Sequence, residues 1–356
     1  MSKIPPSVED VVAESFNVKD VVYYEDKVEF SLQEMSPTET GPLFKDLYMK
    51  LTGMGLLPKL FHDGEDLKLL VFPIPGRLGV GDRLRYALSA VTVATVLFSA
   101  WVISDGTASL LRELGMQVDV LSSTVFHSLG ILAFLLVHEL GHSLKWEGKY
   151  KVDLMIPAPP PPFGFGTLGD LLVRDRPFIN REEQLDVALY GLLAGLSIGL
   201  IISLLGLLQS IPVPSDVASA WIEEGKAGML PTPLMFLLME TALSPGGGNM
   251  LLLSPLALAG LGALLISFFL SMPVLPWDGG HVASSLTSGR VRWLEWVAVL
   301  GMILINPLLG ALMLIAKLMP AYPAVLDEYS EVPQRKRRRG LFLYLLILMI
   351  SVPILQ

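Results

Sequence analysis

The chain contains no cysteine, which rules out a disulfide-stapled domain and any thiolate-ligated metal or cluster. Charge is also scarce. Asp, Glu, Lys and Arg make up 17% of the 356 residues, against about 25% in ordinary soluble domains. The charge present leans acidic, with 26 Lys and Arg against 34 Asp and Glu, a net of −8 and a pI near 5.2. Nucleic acid is therefore not expected as a partner. Apolar residues take the place of the missing charge: 52% of the chain is hydrophobic and the mean hydropathy is +0.56. An ordinary soluble domain is excluded by that balance.

The apolar residues are unevenly placed. Residues 1–82 carry fourteen acidic and eight basic residues and read as a small acidic, cytosolic α/β module without catalytic motifs. Met1–Asp20 lacks the apolar stretch of a signal peptide. Val21–Leu32 alternates like a strand, Pro42–Leu56 looks helical, and Lys59–Phe72 looks like a hairpin turning at Asp63-Gly64. From Tyr86 onward, long apolar runs cover Tyr86–Ile103, Val125–Leu144, Val187–Leu208, Leu251–Leu275 and Leu294–Leu318. Each approaches or exceeds the roughly 20 residues needed to cross a hydrocarbon core. Met229–Leu243 and Leu341–Leu355 are shorter. The expected fold is a multi-pass α-helical membrane protein of about six transmembrane helices, lying in the cell membrane. The module is followed by a membrane core at 83–318 and a basic linker with a C-terminal hydrophobic segment at 319–356.

Basic residues near the span ends set orientation. Arg77, Arg83 and Arg85 precede the first run, which places the module in the cytosol. Ser104–Thr124 has only Arg112 and is expected outside. The second run then returns inward to Lys145, Lys149, Lys151, Arg174, Arg176 and Arg181. Ser210–Gly228, with only Lys226, is outside again, and the fourth run comes back to Arg290 and Arg292. The tail breaks the pattern: a fifth crossing would put Arg335-Lys336-Arg337-Arg338-Arg339 outside, unless Asn306-Pro307 folds the fifth run into a re-entrant hairpin.

Chemistry concentrates at the inner end of the second run, in His138-Glu139-Leu140-Gly141-His142. Positions i and i+4 share a helix face, so both imidazoles can reach one metal ion, with Glu139 beside them to deprotonate a metal-bound water. Ionisable groups in an apolar run are costly, and by default mark a functional site. Two His ligands need a third. The acids expected on the same side are Asp153, Asp170 and Asp175 in the following loop, and Asp278 in Pro276-Trp277-Asp278-Gly279-Gly280-His281. Span parity favours Asp278, although an acid before two glycines also suits a helix-ending turn. No other His cluster exists, so one zinc ion per chain is expected. His62 and His127 have no ligand spacing.

These motifs resemble the site-2 protease family of intramembrane zinc metalloproteases, over roughly Tyr86–Leu318. Gly164-Phe165-Gly166-Thr167-Leu168-Gly169 looks like the family's glycine-containing segment, and Tyr190-Gly191-Leu192-Leu193-Ala194-Gly195 like its third-span opening. The resemblance implies that His138, His142 and Asp278 bind zinc and that Glu139 is the base. It also implies hydrolysis of peptide bonds in the transmembrane helices of membrane-protein substrates, near the cytosolic leaflet of the lipid bilayer. One departure is Leu270, at the position where the family commonly has an Asn that binds substrate or the oxyanion; Ser271 stands beside it.

Gly191, Gly195 and Gly199 make two small-xxx-small steps suited to close approach of the helix bearing His138. Short strands at Lys149–Ile156, Phe163–Leu168 and Leu171–Arg174 would form a β element near the site, able to take an unwound substrate strand. Gly164, Gly166 and Gly169 are substrate-binding candidates, and His281 is expected to support Asp278 from behind. Two alternatives are a CAAX-processing type of protease, which usually takes Glu as third ligand, and a non-catalytic scaffold or metal transporter. The oligomeric state is open.

Overall fold

The computed structural model describes residues 4–64, 66–75, 81–146, 152–161, 164–172, 176–243, 249–318 and 325–354. Arg77, Lys149, Lys151, Arg174 and Asp175, and the parts of the expected strands at 149–151, 163 and 173–174, lie outside the described residues.

The N-terminal part runs α1 (Ser7–Ala13), β1 (Val18–Tyr23), β2 (Val28–Leu32), α2 (Pro37–Gly53), β3 (Leu56–Asp63) and β4 (Asp66–Pro73). The strand expected at Val21–Leu32 is a hairpin instead. Glu25 and Asp26 have no apolar face to bury, so the chain turns there, closed by the Tyr24 N–H donating to the Lys27 carbonyl. In β2 the alternation holds, with Val28, Phe30 and Leu32 inside. The helix begins earlier than expected, with Pro37 in its first turn, and ends before Leu56, which opens β3. The turn at Asp63-Gly64 is present, with Gly64 in the left-handed region. Phe30, Phe44, Leu47, Leu51 and Leu60 are fully buried in this core, each contributing about 1.5–3 kcal/mol.

The remaining elements are α3 (Asp82–Glu113), α4 (Val120–Ser143), β5 (Leu154–Pro157), β6 (Thr167–Leu171), β7 (Phe178–Asn180) and α5 (Arg181–Leu207). They are followed by β8 (Ile211–Pro214), α6 (Ser215–Glu223), β9 (Thr232–Pro233), α7 (Leu234–Leu243), β10 (Asn249–Leu252) and α8 (Pro255–Leu270). The last are α9 (Asp278–Leu286), α10 (Arg292–Ile305), α11 (Pro307–Leu318), β11 (Val325–Asp327), α12 (Gln334–Ser351) and β12 (Pro353–Ile354). Among the described residues, α3, α4 and α5 are long and apolar enough to cross a membrane. Phe98, Leu129, Leu136 and Leu205 lie exposed along them, a pattern suited to lipid.

Two of the long apolar runs are shorter helices than their hydropathy suggests. Leu251–Leu275 contains the end of β10 and the 16 residues of α8, started by Ser254, whose hydroxyl accepts from the Ala257 N–H, and by Pro255. Leu294–Leu318 is a helical hairpin. Asn306 breaks the helix and its side chain caps Leu309, while Gly310 lets α11 lie directly on Ile303 of α10. Glu295 at the start of α10 pairs with Lys317 at the end of α11, so both ends sit together. At 1.5 Å per residue neither arm exceeds roughly 20 Å, too short for a hydrocarbon core of about 30 Å.

The basic tail is placed by α12. Lys336 Nζ lies 2.6 Å from Glu182 and 2.5 Å from Asp186, in the first turns of α5. The tail cluster therefore sits at the end of the bundle where α5 begins.

The first sheet has the order β1-β2-β4-β3-β11-β7, with β11 parallel to both β3 and β7. Strands from beyond residue 82 thus complete it. Successive strand residues face opposite ways: Ile179 and Leu326 enter the N-terminal core, whereas Phe178 and Val325 enter the helical core. Two short strands join the two cores. β7 leads straight into α5, where Asn180 Oδ1 accepts from the Glu183 N–H and Glu183 accepts from the Ile179 N–H. This reciprocal cap anchors the sheet to the helix that walls the site.

Candidate metal centre

His138 and His142 lie one turn apart on α4, near its C-terminal end. Their rings fill space left open by α5. A Cβ at Gly191 would overlap the His142 ring, and one at Gly195 would stand 2.7 Å from His138 Nδ1. In return, a Cβ at Gly141 would meet the Tyr190 carbonyl at 2.5 Å. Close approach of α4 and α5 thus requires glycine on both sides. Gly199 does not face the imidazoles; it packs against Ala263 and Leu264 of α8.

Asp278 is the first residue of α9. The Asp-Gly-Gly turn starts a helix, contrary to the helix-ending alternative, because the following glycines let the first turn press onto backbone at Ser271 and Leu275. His138 Nε2 lies 3.1 Å from Asp278 Oδ2, His142 Nε2 lies 3.5 Å from the same oxygen, and the two Nε2 atoms are 3.1 Å apart. His138, His142, Glu139 and Asp278 are at most 2% exposed.

The loop acids do not stay away from this centre. β5 and β6 form an antiparallel hairpin that folds back over it. Asp170 Oδ1 comes within 3.4 Å of His138 Nε2, and donor atoms of His142, Asp153 and Asp170 lie within 4.8 Å of one another. The hairpin is wedged between α3 and α8. Gly166, with positive φ, touches the α3 backbone at Val96 and accepts from Thr95 Oγ1 at 2.6 Å; Gly169, also with positive φ, packs on Ile266 and Leu270. Gly164 leaves room for Ala158 and Pro159.

Leu270 is buried against that hairpin and offers no polar group. Ser271 donates its hydroxyl to Phe268 O, and its own carbonyl accepts from Tyr344. His281 stands one turn beyond Asp278. Its Nδ1 is 3.0 Å from Gln184 Nε2, and Ser285 donates to Gln184 Oε1, so this trio clamps α9 to α5. Gln184 carries no motif and is invisible to sequence reasoning. His127 is spent on the Pro255 carbonyl at 2.7 Å, and His62 stacks on Tyr329.

The donor set suits a small divalent cation. Donors about 2.0–2.1 Å from a tetrahedral zinc ion stand roughly 3.3 Å apart, and the distances here are 3.1–3.5 Å. His142 Nδ1 meets the Val187 carbonyl at 2.9 Å; donating its proton there leaves the Nε2 lone pair free for a metal. Asp278 Oδ2 finds no hydrogen bond of good geometry among the described residues. Buried carboxylates clustered around imidazoles are costly without a cation.

The chain is similar to proteins named as zinc metalloproteases. The chain is 29% identical over 313 residues to proteins of Oryza sativa subsp. indica and subsp. japonica, each named probable zinc metalloprotease EGY2, chloroplastic. That match covers 81% of this chain and 54% of each relative. An Arabidopsis thaliana protein named probable zinc metalloprotease EGY1, chloroplastic, is 28% identical over 228 residues, 62% of this chain and 41% of its own length. The chain thus spans about half the length of the curated relatives it matches. No family model and no solved structure matches.

Proposed function

We propose that this chain, a homologue of zinc metalloproteases whose motifs and relatives support the site-2 protease family, hydrolyses peptide bonds in transmembrane helices of membrane proteins. The observation that carries this reading is the convergence of His138 Nε2, His142 Nε2 and Asp278 Oδ2 inside an apolar bundle.

His138, His142 and Asp278 would hold one Zn2+, and Glu139 would serve as general base. Zinc, when bound, supplies Lewis-acid polarisation of the scissile carbonyl and lowers the pKa of water. Glu139, next to His138 on α4 and buried, would take the proton of the attacking water and return it to the leaving amine. The α5 glycines hold both rings in register. A helical substrate shields its carbonyls, so it must first be extended, and the β5–β6 hairpin beside the site offers a strand to pair with. Leu270 is apolar and the Ser271 hydroxyl is committed to its own helix, so neither serves as an oxyanion donor as it stands.

For topology, α3, α4 and α5 would cross the bilayer as single helices, α8 together with the apolar residues on either side of it (Leu251–Leu275) would make a fourth crossing, the α10–α11 hairpin would dip and return, and α12 would enter from the site side. This replaces the expected six spans with four crossings, a hairpin and α12. It also gathers Arg83, Arg85, Lys145, Arg181, Arg290 and the tail cluster at one end, as the positive-inside rule requires. The site and the N-terminal module would face the cytosol or the equivalent compartment of an organelle. The test is cleavage of a reporter transmembrane substrate by purified protein. Glu139→Gln should keep its metal and lose turnover by orders of magnitude, and chelation should abolish it. Cleavage retained in Glu139→Gln would sink the mechanism.

A further inference from the structure

A catalytic zinc site with three protein ligands leaves its fourth position open. Here a further buried carboxylate borders the imidazoles. Asp170 is 5% exposed, and its Oδ1 lies 3.4 Å from His138 Nε2, comparable with the 3.1 and 3.5 Å that separate the other donors. With His142 and Asp153 it forms a second group, separate from that of His138, His142 and Asp278, in which donor atoms lie within 4.8 Å of one another. Among the described residues, the ion pairs of Asp170 and Asp278 are with imidazoles only; no Lys or Arg offsets either carboxylate. The Asp170 carboxylate thus addresses the same imidazole that Asp278 does.

We propose that Asp170 is a fourth, displaceable ligand that closes the metal's coordination in the substrate-free protein. The proposal rests on the zinc-centre reading above and extends it to regulation. The fold supports displacement because Asp170 comes from a different kind of element than the other three donors. His138, His142 and Asp278 belong to α4 and α9, packed helices with no room to shift: Gly191, Gly195, Gly279 and Gly280 are in tight contact. Asp170 belongs to a two-stranded hairpin, where it pairs with Met155 beside a register irregularity. Rotation of the Asp170 side chain about χ1 would withdraw its carboxylate and leave both the helical ligands and the wedged hairpin in place. Exchange of this carboxylate makes or breaks no covalent bond and needs no oxidant or reductant. Because the same hairpin is the strand nearest the centre, a substrate segment pairing with it would act on Asp170 directly. Opening of the fourth position would then be tied to substrate.

The test uses the full-length chain in detergent micelles, as wild type, Asp170→Asn, Asp170→Ala and His142→Ala. The readouts are zinc content, the rate of zinc loss to dipicolinate, and the visible absorption of the Co2+-substituted protein. Wild type should hold one metal and His142→Ala should lose it. Both Asp170 variants should retain metal but release it on the order of 10–100 times faster. Their Co2+ spectrum should differ from wild type, and added acetate should restore it in Asp170→Ala. If Asp170→Ala fails to fold, judged by circular dichroism, the isosteric Asp170→Asn decides. Wild-type release rates and a wild-type Co2+ spectrum in Asp170→Asn would overturn the proposal while leaving the zinc centre standing. Metal absent from wild type, or retained in His142→Ala, would overturn the zinc centre and this proposal with it.

Discussion

At the residue scale, the glycines of α5 act as part of the centre although none bears a functional group. The His142 ring occupies the volume where a Gly191 side chain would begin, and His138 does the same at Gly195. A methyl at Gly191 must push either the imidazole or the helix, and overpacking of this kind costs about 1–3 kcal/mol. Gly191→Ala is therefore expected to lower the melting temperature and to loosen zinc roughly tenfold or more, measured by competition with a chelator. Gly106→Ala on α3, where nothing lies within 4 Å, should be neutral or slightly stabilising, because Ala is the better helix former. Equal behaviour of the two variants would refute the packing argument.

The element scale is where hydropathy and structure part. A 25-residue, mostly apolar stretch at Leu294–Leu318 is long enough for one span, yet it takes the alternative offered by Asn306-Pro307 and folds as α10 and α11 with Asn306 between them. The hairpin is held by the Glu295–Lys317 pair at its open end and by the Gly310–Ile303 contact near its tip. A Cβ at Gly310 would lie 2.5 Å from the Ile303 backbone. Gly310→Ala is accordingly expected to destabilise by about 1–3 kcal/mol, read by thermal unfolding in detergent. Gly301→Ala, on the open face of α10, should cost nothing. If both variants melt alike, the arms do not pack as described.

At the scale of the whole molecule, one end of the bundle collects the candidate metal centre, the completed sheet and the basic tail. Lys336 reaches Glu182 and Asp186, and Arg181 reaches the Ser288 and Ser330 carbonyls. Since the chain has no native cysteine, single cysteines give a clean readout. Cysteine at Arg290 and at Arg337 should label from the same side with a membrane-impermeant reagent, and cysteine at Lys226 from the other; all three positions are exposed. Labelling of Arg290 and Arg337 from opposite sides would contradict the hairpin and the location of the tail.

Much of the centre was legible in the sequence because it depends on local periodicity. The i, i+4 spacing puts two imidazoles on one helix face, and span parity brings Asp278 to their end of the bundle. The Gly191 and Gly195 spacing forecasts close approach to the helix bearing His138, and the His142 and His138 rings lie against those two glycines. The Asp63-Gly64 turn and the inward residues of β2 are local in the same sense. Other features were decided by tertiary structure alone. Short strands beside the site are legible in the sequence, but the antiparallel pairing of β5 with β6 that brings Asp153 and Asp170 to the histidines is set by packing against α3 and α8. The recruitment of β7 and β11 into the N-terminal sheet spans more than a hundred residues of intervening chain. Gln184 meets His281 only because α5 and α9 pack together. Hydropathy registers how apolar a segment is and cannot register where it turns back. Side-chain period specifies which face a residue occupies, whereas the identity of the residue opposite is set by long-range packing of helices and strands distant in sequence.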